Sequence, residues 1–281
     1  MVKKASARLR SIFRPLDQQA SVQGPIDLRL GRWLQLGRTT ALIAALTLLL
    51  VHYANFIFLN SPLSFLDANS EGTVWSWASA LATGTVTAAA LLGICVEPAR
   101  LGLFLSLSAV CAFLSLDDMV ALHERVAEWA YETLRIAETW DSIIWPVLYF
   151  PLLFIAFLGL LRISRASPPQ IRATIKLGLW AFVLALALEI ISAPWSTDDN
   201  LVHIVEGGVE EALELAGWLL AATGTLAAVI SPLTSDGASA NGSNKVASAT
   251  NDVDANGRSY RWRPWHRQIE QDMPIGRRVR S

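Results

Sequence analysis

TTALIAALTLLLVHYANFIFL, residues 39–59, runs for 21 residues without a charged side chain. At 1.5 Å per residue, a helix of that length spans about 30 Å, the thickness of a bilayer's hydrocarbon layer. A soluble amphipathic helix would interrupt such a run with charged residues on its outer face, so the stretch predicts a membrane span. Outward from it, Val74–Val96, Ile143–Leu161 and Leu215–Leu233 meet the same test. Leu177–Trp195 is as long but encloses Glu189. One further run starts at Leu101 and stays apolar only to Leu116, so a full crossing draws Asp117 and Asp118 into its end. The expected fold is all-α: a polytopic bundle of six transmembrane helices over residues 38–233, preceded by a basic arm (1–37) and followed by a tail (234–281). Composition agrees. Of 281 residues, 53% are hydrophobic and 17% charged, and mean hydropathy is +0.39, more apolar surface than an aqueous globule buries.

The basic residues predict the direction of each span. Eight lie in the arm before residue 39, Arg100 follows the second span, Arg162, Arg165, Arg172 and Lys176 lie between the fourth and fifth, and eight more lie in the tail. Only Arg125 and Arg135 remain for the other face. By the positive-inside rule, both termini are expected in the cytoplasm, in a plasma membrane or a bacterial inner membrane. A seventh span would put one terminus, with its eight basic residues, on the wrong side. Cys95 and Cys111 fall in or beside apolar runs and imply neither a disulfide framework nor a cysteine zinc site.

A net charge of -1 offers nothing to nucleic acid. The bilayer is the expected partner. The tail from Ser235 to Arg258 is rich in Ser, Ala, Asn and Gly, the composition of a disordered linker, and YRWRPWHRQIEQDMPIGRRVR (260–280) alternates aromatic and basic residues. That end and the RSIFRPL segment (10–16) suit anionic lipid headgroups, with a solvated tail as the competing reading.

The outer side gathers acids as the inner side gathers bases: 16 of 24 carboxylates and three of four histidines belong to it. In HIVEGGVEEALEL, His203, Glu206, Glu210 and Glu214 stand at offsets 0, 3, 7 and 11, one stripe if the helix begins before Leu215. In LDDMVALHERVAE, Asp117, Glu124 and Glu128 repeat offsets 0, 7 and 11, and His123 lies off that stripe. An intramembrane acid is costly enough to require a proton, a basic partner or a cation, and Glu189 lies deepest. The candidate metal ligands are therefore Asp117, Asp118, His123, Glu124, Glu189, His203, Glu206 and Glu210, a donor set suited to zinc, manganese or iron. Competing structural readings make Asp117 and Asp118 a helix cap, the glutamates of residues 206–211 a complement to the helix dipole, and His52 a satisfied core residue.

Placing carboxylates and histidines among several helices, the chain is similar to membrane hydrolases of the alkaline ceramidase and adiponectin-receptor type. Those have seven spans and a paired-histidine motif near their end. This chain has six and no HxxxH, and it also lacks desaturase histidine boxes and GxSxG. Three functions fit the pattern: a metal-dependent membrane enzyme acting on a lipid-like substrate, a proton- or cation-coupled transporter or transporter subunit, and a structural accessory subunit. The inner halves of the third and sixth spans offer only Ser and Thr to a pathway, which favours a one-sided pocket.

Overall fold

The computed structural model describes residues 28–59, 63–68, 70, 72–134, 141–192 and 201–247. Seven helices are present among them: α1 (Leu28–Phe58), α2 (Val74–Val96), α3 (Leu101–Val120), α4 (Leu122–Leu134), α5 (Asp141–Ala166), α6 (Pro169–Ser192) and α7 (Leu201–Ala247). All but α4 are long and apolar enough to cross a membrane. The basic arm before residue 28, the aromatic-basic end of the tail, Glu71, Arg135, Asp198 and Asp199 lie outside the described residues, as does the side chain of Glu124.

Most helices are longer than the apolar runs that reveal them. α1 begins at Leu28, α6 at Pro169 and α7 at Leu201, because a backbone already in helical phase keeps its hydrogen bonds by continuing into the polar boundary. The early start of α7 puts its whole acidic stripe on a helix. α7 also continues to Ala247, into the stretch whose composition suggested a linker, which has no proline after Pro232. α5 carries Pro146 and Pro151 internally, as spanning helices tolerate.

α2 packs along α3, α3 on α5, α5 on α6, and α6 on α1. α7 is the most buried span, and glycine makes that possible. A Cβ on Gly178 of α6 would stand 2.8 Å from the Gly217 carbonyl oxygen of α7, and one on Gly208 would stand 2.6 Å from the His52 ring. Small residues let helix backbones approach where lipid supplies no hydrophobic drive for association. Buried apolar side chains, among them Leu107, Leu160, Ile175 and Val229, fill the half of the bundle away from the α3–α4 junction.

Two short devices shape the ends. Pro98–Arg100 forms a 3-10 turn between α2 and α3, closed by an Arg100–Glu97 ion pair at 3.1 Å. Ala121 stops α3 in the left-handed region (φ 50°), so α4 sets off in a new direction as a short amphipathic helix.

Candidate functional site

Asp117 stands one turn before the end of α3 and is only 4% exposed. A buried carboxylate needs donors, and the break at Ala121 supplies them. Oδ1 accepts the backbone N–H of His123 at 3.0 Å and the Tyr149 hydroxyl of α5 at 3.0 Å, while Oδ2 lies 2.9 Å from His123 Nδ1. Asp117 thus caps α4, as the cap reading expects, and also fixes the imidazole. In the tautomer that donates from Nδ1 to this carboxylate, the neutral ring carries its lone pair on Nε2. Rings from α5 hold the other sides: Trp145 at 5.1 Å and Tyr149 at 6.2 Å between centroids.

Trp145 leads to the next acid, donating its indole N–H to Glu189 Oε1 of α6 at 2.5 Å. On α7, Trp218 donates to Glu214 Oε1 at 3.1 Å. Glu189 lies in the field of Glu214, Glu206 and His123; Glu210 in that of Glu189, Glu211, Glu206 and Glu214; and Glu214 in that of His123 and Asp117. Four helices, α3, α5, α6 and α7, together with the start of α4, therefore converge on one polar centre. No Lys or Arg enters these contacts among the described residues. Glu189 Oε2 is buried and has no hydrogen-bond partner among the described residues.

Of the eight residues picked out from sequence, Asp117, His123, Glu189, Glu206 and Glu210 come together in this way. His203 stands 4.0 Å from Glu206, its neighbour one turn on. Asp118 follows Asp117 on α3, and a helix turns it about 100° away. In an unbroken helix His123 would lie off the Asp117–Glu128 stripe; the break at Ala121 brings it back to Asp117. Among the described residues, no three His, Cys, Asp or Glu side chains are placed to hold one metal ion.

Tyr149 and Trp145 escape a sequence reading because aromatic residues in an apolar span look like interface or core. The one available signal is their i, i+4 spacing, which puts both on one face of α5. Glu214 belongs to the acidic stripe, but its neighbours on α3 and α6 emerge only from the packing. His52 is a core residue: Nδ1 accepts the Ala68 N–H at 3.0 Å, and Nε2 donates to the Ile204 carbonyl at 2.9 Å. It ties α1 to the following loop and to the first turn of α7, and Tyr53 adds a bond to the Val205 carbonyl.

Residues 39–229 match the family described as a domain of unknown function (DUF8692), a range that takes in every residue of this centre. No curated protein and no solved structure matches the chain.

Proposed function

The chain belongs to the family described as a domain of unknown function (DUF8692); its function is therefore read from the site, and we propose a membrane enzyme in which His123 transfers protons on a lipid-like substrate. The observation that carries this reading is the Asp117–His123 pair, in which a buried carboxylate 2.9 Å from Nδ1 orients the ring, as a carboxylate orients an imidazole that serves as base and then acid. Glu189 and Glu214 lie in the electrostatic field of His123, so carboxyl groups stand around the ring that would move the proton. The distribution of basic residues orients this centre toward the outer leaflet, with both termini in the cytoplasm of a plasma or bacterial inner membrane. Carboxylate and imidazole are also ligands for zinc, manganese or iron. The described side chains do not gather three donors for one ion, so no step is routed through a metal.

The buried apolar half beyond the centre favours chemistry over transport, since a proton or cation crossing the bundle would meet Leu107, Leu160, Ile175 and Val229. The test is reconstitution in vesicles of native lipid extract, with lipid mass spectrometry and an internal pH dye read together. The enzyme reading expects a lipid species converted by the wild type, and its rate reduced roughly 10²–10⁴-fold by His123→Ala. Proton flux without conversion, abolished by Glu189→Gln, would replace it with transport. Neither signal in the wild type would leave an accessory subunit that recruits a partner.

A further inference from the structure

On the face of α7 turned away from the carboxylates, a groove of about 450 Å³ opens between α1 and α2. Its walls include Ala44 and Leu48 of α1 and Ala78 and Ala82 of α2, and Leu215 and Leu219 of α7 form its floor. At about 100° per residue, the floor residues fall roughly opposite the Glu206–Glu210–Glu214 stripe, so the groove is separate from the proposed active site. It lies at mid-span on α1 and α7. We infer that this groove holds the hydrocarbon chains of one bilayer lipid as a structural companion of the bundle.

Three observations select that occupant. The lining has no charged side chain, and its only polar groups are threonines; the Thr85 hydroxyl is spent on the Leu81 carbonyl of its own helix at 2.8 Å. Such a surface does not hold water, which needs two to four polar partners. The depth of the groove makes hydrocarbon its solvent, and left empty, its walls lose their dispersion contacts. Size then decides between a lipid chain and a helix. Along α1 the lining runs from Thr40 to Leu48, about 12 Å at 1.5 Å per residue, so the mean cross-section is roughly 40 Å². A helix 10–12 Å across needs about 80–110 Å². An alkyl chain, with carbon contacts near 4 Å, needs about 20 Å², so one or two chains fit and a helix does not.

The test uses the full chain in nanodiscs containing a phospholipid with a photoactivatable diazirine in mid-acyl chain. Labelling is mapped by mass spectrometry. The expected result is enrichment at Ala44, Leu48 and Ala78 of at least about fivefold over Val147 and Phe150, which are exposed on α5. Ala44→Phe and Ala78→Phe, which fill the groove from opposite walls, should each abolish the enrichment and leave the α5 labelling unchanged. Equal labelling of groove and α5 in the wild type overturns the inference without recourse to any variant. So does a groove protected from label in a chain that sediments as a dimer, which would make a second copy the occupant.

Discussion

Asp117 serves two masters at the scale of a single residue. It caps α4 through the His123 amide and orients the His123 ring, with the Tyr149 hydroxyl sharing its first oxygen. Asp117→Asn keeps an acceptor but loses the charge, so it should cost about 1.5–3 kcal/mol, the worth of a charge-assisted bond, read by thermal unfolding in detergent. Glu189→Gln should act in the opposite sense. The amide oxygen still accepts the Trp145 N–H, and an amide, unlike a carboxyl, has no charged form to give up when buried beside Glu206 and Glu214. A gain of about 0.5–2 kcal/mol in the same unfolding assay, accompanied by loss of activity, is the trade expected where stability has been given up for function. His52→Leu tests the core assignment. The Ala68 amide left unpaired costs about 1–3 kcal/mol, and the proposed chemistry should survive in whatever protein remains folded.

Glycines and one alanine govern the packing of the elements. Gly178→Ala drives a methyl group against the Gly217 carbonyl, a backbone atom that has no rotamer by which to retreat. Its cost should be about 1–3 kcal/mol, as for other overpacked contacts. Gly31→Ala is the control, since nothing stands within 4 Å of its added Cβ, and helix propensity predicts a gain of up to about 1 kcal/mol. Ala121, with φ 50° and ψ 44°, holds the left-handed geometry that separates α3 from α4. Ala121→Gly relieves about 1 kcal/mol of that strain and should raise the unfolding temperature without altering the Asp117–His123 pair. That break is not legible in LDDMVALHERVAE, where alanine at position 121 reads as a good helix former.

For the whole molecule, the decisive prediction concerns direction. A cysteine introduced at Gln170, exposed in the first turn of α6, should be reached by impermeant reagents only from the side of the termini, and one at Arg125, exposed on α4, only from the other. The opposite result would reverse the assignment of the acidic centre to the outer leaflet. The charge asymmetry that motivates this is visible in the chain itself. Which acids share a field is not visible there, because Glu189 and Glu214 are 25 residues apart in sequence and meet only where α6 packs on α7.

What the chain determines alone is its six apolar helices and the gathering of carboxylates and histidines near their ends, because hydrocarbon admits a backbone only as closed helices and penalises stray charge. Tertiary structure decided the rest: that His52 is bound by two backbone groups, that His123 turns to Asp117 through a broken helix, and that Trp145 and Tyr149 belong to the centre. The period of a helix sets the face on which a residue lies. Which neighbour that face meets depends on how closely other helices approach, and small residues such as Gly178 and Gly208 control that distance.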